Sequence, residues 1–191
     1  MSAPHAPAPP LPTVRTALRL LGRHWRAAYL AAGAAALVNT VPDVLRHLPV
    51  WDDPRLSAAL LVDVVGVLTA VLAQLWVTGA LADLPEGGPA RTAGALRRGT
   101  ALAWAAVRTA PATVAAGVVL GGAVSALLTV PASVAALGAA QVLGPLDAPT
   151  AGAFAVATAS DVLASTVTLP FLALVLVIAG RRRLTPGAAG Q

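Results

Sequence analysis

Long stretches without Asp, Glu, Lys or Arg alternate along this chain with short clusters where those residues gather. The charge-free stretches run 27–42 (16 residues), 64–82 (19), 109–146 (38) and 162–180 (19). A helix needs about 20 mostly apolar residues to cross roughly 30 Å of hydrocarbon. The second and fourth stretches each match one crossing. The first is short, but Arg26 can reach back to the headgroups, and Pro42-Asp43 need not end the helix. The third holds one span and a shorter second piece, with Pro131 as the natural break. The pattern predicts an all-α, polytopic membrane fold with about four spans, near 27–47, 57–83, 106–130 and 155–180. A short extra helix is expected over 132–143, either re-entrant or continuing the third span. Pro111 suits the first turn of span three, and Pro170 should kink span four.

The segment 13–26, TVRTALRLLGRHWR, carries a different pattern. At about 100° per residue, Val14, Leu18, Leu21 and Trp25 fall in one arc, while Arg15, Arg19, Arg23 and Arg26 form a second. An apolar stripe beside an arginine stripe describes a helix lying in the headgroup plane, where an anionic leaflet adds about 1 kcal/mol per nearby arginine. A plain membrane-entry helix that only sets topology fits the same residues. RTALR at 15–19 is echoed by RTAGALR at 91–97, each leading into an outward span. The chain therefore reads as a Pro-rich disordered tail (1–12), a helical membrane domain (13–183) with possible parallel halves 13–83 and 90–183, and a flexible tail (184–191). Coincidence in an Ala-rich composition explains the echo equally well.

All thirteen basic residues are arginine, against eight acids, for a net charge of +5. Eleven arginines flank the spans on one side: Arg15, Arg19, Arg23 and Arg26, then Arg91, Arg97, Arg98 and Arg108, then Arg181, Arg182 and Arg183. Only Arg46 and Arg55 lie on the other. The positive-inside rule then places both termini and the central loop in the cytoplasm. Trp25 and Trp104 fall near the inner interface and Trp51 near the outer one, while Trp76 reads as a packing residue. A cleaved signal peptide is not expected, because the polar lead before the first span is too long.

Composition narrows the class. The chain is 57% hydrophobic and only 11% charged, with no cysteine, and its mean hydropathy is +0.77. A soluble domain carries roughly 25% charged residues, so a soluble fold is excluded, as are disulfide frameworks and thiolate metal sites. The arginines sit beside apolar runs, which suits lipid headgroups and not nucleic acid.

Candidate chemistry is sparse. Asp63 and Asp161 are the residues to examine, because an ionisable group within a span marks a functional site by default. Paired at one depth they would serve proton or cation transfer. Each also stands at the outer end of a charge-free window, where it can reach the interface, and Asp161 with Ser160 fits the N-terminal turn of a helix. Arg46 and Arg55 would be their cationic partners. Asn39, Gln74 and Gln141 suit interhelical hydrogen bonds, and Gly117, Gly121 and Ser125 form a small-xxx-small stripe for helix packing. The histidines are scattered, the polar 43–57 loop reads as a solvated turn, and no metal, phosphate-loop or nucleophile-elbow motif occurs. No catalytic, cofactor or metal residue is expected.

The final span, TLPFLALVLVIAGRRRLTPG, with Pro170 and the Arg181–Arg183 cluster, and the central GALRRGTALAW resemble a bacterial family. It is the membrane domain associated with glycerophosphoryl diester phosphodiesterases and its stand-alone actinobacterial relatives. The resemblance covers about 90–183 and implies a helical module of the bacterial cytoplasmic membrane without the phosphodiesterase's own active site. The expectation is a non-catalytic accessory, packing or lipid-associated module that engages anionic headgroups and either itself or a membrane-protein partner. The alternative is a small oligomeric transporter or proton-coupled permease using Asp63 and Asp161.

Overall fold

The structure is a computed structural model that describes residues 10–42, 44, 56–137 and 150–181. Among them are six α-helices and no strand: α1 (Pro10–Arg23), α2 (Trp25–Asn39), α3 (Leu56–Ala80), α4 (Ala95–Thr109), α5 (Pro111–Leu137) and α6 (Ala151–Arg181), with a single 3₁₀ turn at Leu84–Glu86. Three helical segments are long and apolar enough to cross a membrane, Val64–Glu86, Pro111–Ala136 and Ala151–Arg181. α2 spans 15 residues, about 22 Å at 1.5 Å per residue, which is short of the hydrocarbon thickness. The element order repeats. A lead-in helix, a one-residue joint (His24, then Ala110) and two further helices occur once in α1–α3 and again in α4–α6.

Several boundaries differ from those expected. α1 begins at Pro10, inside the segment assigned to the tail. Pro10 and Pro12 fall in the first turn, where amides have no intrahelical acceptor and a missing N–H costs nothing. α5 begins at Pro111, five residues after the expected start of span three, because 106–109 belong to α4; Pro111 stands in its first turn as expected, and the helix runs unbroken through Pro131 to Leu137. Pro131 is therefore not a break, and residues 132–137 continue α5. An apolar helix tolerates an internal proline where neighbouring groups can take up the freed carbonyl. Residues 138–143 of the expected extra helix lie outside the described residues, as do residues 1–9, most of the 43–57 loop, Gln141 and the 184–191 tail.

α6 is the hub, packing against each of the other five helices. Its C-terminal half is buried from Ala173 to Val177 and again at Ala179 and Gly180, whereas its first two turns are exposed or half-buried. The main core joins Ala17, Leu21 and Ala28 to Val77, Leu81 and Leu84, around Leu174 and Val175. All of these cluster at the end of the bundle that carries the arginines of α1, α4 and α6. Away from it, α3 exposes Leu60, Leu61, Val64, Val65, Val67, Leu68, Val71 and Leu72. A largely apolar helix face left open by the described residues suits contact with lipid.

α3 and α4 approach each other at backbone distance. A Cβ added at Gly79 would fall on the Ala95 carbonyl, and one added at Gly99 would fall on the Leu75 carbonyl. The two backbones are therefore in direct contact, with no side chain between them. Gly180 of α6 meets α4 in the same way, since a Cβ there would lie 2.5 Å from the Leu102 carbonyl oxygen. Gly79→Ala and Gly99→Ala should each destabilise the fold by about 3 kcal/mol or more, because the obstruction is backbone that cannot step aside. Gly22→Ala and Gly66→Ala meet open space and should stabilise by about 0.5–1 kcal/mol. Thermal unfolding of the four variants in one detergent gives the comparison.

Candidate functional site

α1 and α4 carry most of the basic residues of the described helices beside apolar ones, while the other four helices are mostly apolar. Each of the two turns three faces outward from its axis. In α1, Thr13, Ala17 and Leu21 are buried against the bundle. Leu11 and Leu18 are exposed, with Trp25 one turn beyond Leu21, and Arg15, Arg19 and Arg23 occupy the third face. In α4, Ala95, Gly99, Leu102 and Ala106 are buried. Leu96, Val107 and Trp104 are exposed, and so are Arg97 and Arg108.

The short echo in the sequence marks this equivalence. Ala17-Leu18-Arg19 and Ala95-Leu96-Arg97 read alike. The alanines are 0% and 1% exposed and the leucines 54% and 42%, and both arginines are exposed. With about 100° between successive residues, each triplet displays the protein, apolar and cationic faces in the same rotational order. Leu21, assigned to the apolar stripe, belongs to the protein face instead, because α1 docks on α6 and does not lie apart from the bundle. Two tryptophans complete the pattern. The Arg26 guanidinium lies 5.3 Å from the Trp25 ring centroid and that of Arg108 lies 4.7 Å from the Trp104 ring, both within cation–π range.

A second set of charges lies behind these surfaces and is turned inward. Arg181 at the end of α6 donates to Asp83 Oδ1 at 3.2 Å and pairs with Glu86, while Arg91 stands 3.9 Å from Asp83. Arg98 donates three hydrogen bonds to main-chain carbonyls: to Gly79 from Nε (3.3 Å), to Ala93 from Nη1 (2.6 Å) and to Arg91 from Nη2 (2.7 Å). The Arg91 amide donates to Ala80 at 2.9 Å. The C-terminal carbonyls of α3, which lack intrahelical partners, are thus met by the loop that follows and by α4. A cavity of about 450 Å³ between Asp83, Glu86, Arg98, Leu102 and Arg181 borders the cluster. Its cations are matched by carboxylates or carbonyls, so the cluster ties α3, α4 and α6 together, whereas the outward arginines face solvent. Asp83, Glu86 and the Gly79–Gly99 contact were not singled out from sequence. The signal available was the Ala95-xxx-Gly99 spacing and the acids just past a charge-free window.

The two acids expected from sequence stand on different helices, Asp63 on α3 and Asp161 on α6. The Asp63 side chain lies outside the described residues. Asp161 is half-buried in α6, and it is not in a first turn. That turn begins at Thr150, whose Oγ1 accepts from the Ala153 amide at 3.3 Å, and Ser160 donates to the Ala157 carbonyl. Asp161 precedes Arg181 by 20 residues, about 30 Å of helix, so it stands one hydrocarbon thickness from the ion cluster. Arg46 and Arg55 lie outside the described residues.

The other polar and small residues separate by role. Gln74 Nε2 donates to the Leu169 carbonyl of α6 and to Thr78 Oγ1, each at 3.3 Å, an interhelical bond as expected. The buried Asn39 Oδ1 has no partner among the described residues. Of the small-residue stripe, Gly117 packs within the chain, where an added Cβ would meet Val175 at 3.0 Å. Gly121 and Ser125 line an open niche of about 230 Å³ with Gln74 and Thr168. Among the described residues no group of three or more His, Asp or Glu could hold a metal ion.

Comparison with protein-family models, with curated proteins and with solved structures gives no match to this chain.

Arg181→Gln should lower stability by roughly 0.5–1 kcal/mol, the scale of partly exposed pairs within a network. The loss should shrink at 1 M salt, where screening acts within about 3 Å. Unfolding of wild type and variant at low and high salt measures both.

Proposed function

We propose that the chain is a non-catalytic multi-pass membrane module whose α1 and α4 lie in the headgroup layer of an anionic leaflet. The observation that carries this reading is the pair of three-faced helices. Each sets a buried face on the bundle, an exposed Leu/Trp edge toward hydrocarbon and an arginine face toward phosphates. Tryptophan favours that depth, and arginine near an anionic surface contributes about 1 kcal/mol each.

A four-crossing arrangement fits the same picture. Helical bonding beyond α2 is taken up again where the Val44 amide donates to the Thr40 carbonyl at 3.1 Å. Trp25 to Val44 is a stretch of 20 residues, about one crossing. Four crossings return both ends of the chain to the arginine-bearing side, which the positive-inside rule assigns to the cytoplasm. The resemblance of the last span to stand-alone bacterial membrane domains agrees with a module of the cytoplasmic membrane that has no active site of its own. The open niche at Gly121 and Ser125 suits a contact with a second copy or a partner helix.

Nanodiscs of defined lipid provide the test. Wild-type protein should unfold at a higher temperature in phosphatidylglycerol than in phosphatidylcholine. The triple variant Arg15→Gln, Arg19→Gln, Arg23→Gln should lose a large part of that difference while keeping its helicity. Equal midpoints for wild type in the two lipids would remove the reading.

A further inference from the structure

A groove of about 360 Å³ runs between α2 and α3, lined by Ala34, Ala35 and Val38 on one wall and by Thr69, Leu72, Ala73 and Trp76 on the other. Leu96, the first exposed apolar residue of α4, borders it as well. Three alanines leave the gap that larger side chains would close. The one hydroxyl on the walls is turned away, since Thr69 Oγ1 donates to the Gly66 carbonyl of its own helix at 2.9 Å, which leaves the groove an apolar lining. The niche at Gly121 differs, because Gln74, Ser125 and Thr168 give it polar groups.

We propose that this groove holds one acyl chain of a phospholipid from the leaflet on the arginine-bearing side. Depth favours that occupant. Thr69 lies about three helical turns, or roughly 16 Å, from Ala80 at the end of α3, close to half of the ~30 Å hydrocarbon layer. A partner helix crosses both leaflets and needs a groove of twice that depth, whereas an acyl chain ends at the midplane. Charge favours it too. Leu96 is followed by the exposed Arg97, so a guanidinium stands one residue from the groove's interfacial end, where a lipid phosphate resides. The inference rests on α4 lying at headgroup level and gives the lipid contact a site and a stoichiometry.

Native mass spectrometry of the full chain, purified in mild detergent and supplied with phosphatidylglycerol, tests it. Wild type should retain one phospholipid after detergent exchange. Ala34→Phe, which fills the groove from an exposed position, should lower the bound fraction about tenfold or more, with helicity and unfolding temperature unchanged. Thr69→Val should bind as wild type does. If Ala34→Phe loses helicity, Leu72→Phe from the opposite wall decides in its place. No adduct on wild type, or an equal adduct on a folded groove-filled variant, overturns the proposal. Loss of a dimer in place of a lipid adduct also overturns it and assigns the groove to a second copy. Protein that prefers anionic nanodiscs yet keeps no lipid refutes the groove alone. Protein that keeps a lipid without that preference refutes the headgroup reading alone.

Discussion

Everything at the arginine-bearing end depends on two helix backbones touching without side chains between them. Gly79 and Gly99 let α3 and α4 meet carbonyl to backbone, and Gly180 lets α6 meet α4 in the same manner. Between membrane helices there is no hydrophobic driving force of the aqueous kind, because lipid is as apolar as leucine, so close packing and hydrogen bonds hold helices together. Contact at backbone distance maximises the first. It also places the Arg98 guanidinium within reach of the Gly79 carbonyl, which a wider separation would forbid. The glycine contact and the arginine bonds are therefore one device: the small residues set the spacing and the guanidinium satisfies the carbonyls that the helix end leaves open.

The thirteen arginines do not form a single class. Arg98 and Arg181 are committed to carbonyls and carboxylates that hold three helices in place. Arg15, Arg19, Arg23, Arg97 and Arg108 are exposed on the outer faces of α1 and α4. The inward set fixes where the outward set points. If α4 were free of α3, its three faces would have no defined orientation toward the bundle, and Leu96 and Arg97 would lose their position beside the groove between α2 and α3.

Much of this was legible in the sequence, for physical reasons that differ from element to element. The charge-free windows at 64–82 and 162–180 mark α3 and α6 because burying charge in hydrocarbon is costly, and that cost acts locally on the chain. α1 was legible because its arginines and leucines recur with the helical period. What could not be read is tertiary. Leu21 shares an arc with Leu18, and only the docking of α1 on α6 sends one inward and leaves the other exposed. Pro131 looks like a boundary because a lone helix loses a hydrogen bond there, but α5 continues through it. Asp161 beside Ser160 reads as a first-turn residue, but α6 starts ten residues earlier at Ala151, behind Thr150. The Gly117 stripe is legible in the sequence and the Gly79–Gly99 pair is not, since glycines on two separate helices show no spacing along the chain. The repeated Ala-Leu-Arg triplet was visible as an echo, and its meaning came from seeing the same three faces displayed twice.

The position of α6 has a consequence for biosynthesis. It packs on all five other helices, and the ribosome delivers it after them. Until it enters the bilayer, α1 has no surface on which to bury Thr13, Ala17 and Leu21, and the Asp83–Glu86 turn has no Arg181. The earlier apolar helices can insert one by one, and α3 can meet α4 through Gly79 and Gly99, but the contacts that α6 makes must wait for it. The faces that α6 covers on the five helices before it therefore stay open until it enters, and the fold at the arginine-bearing end closes only around it.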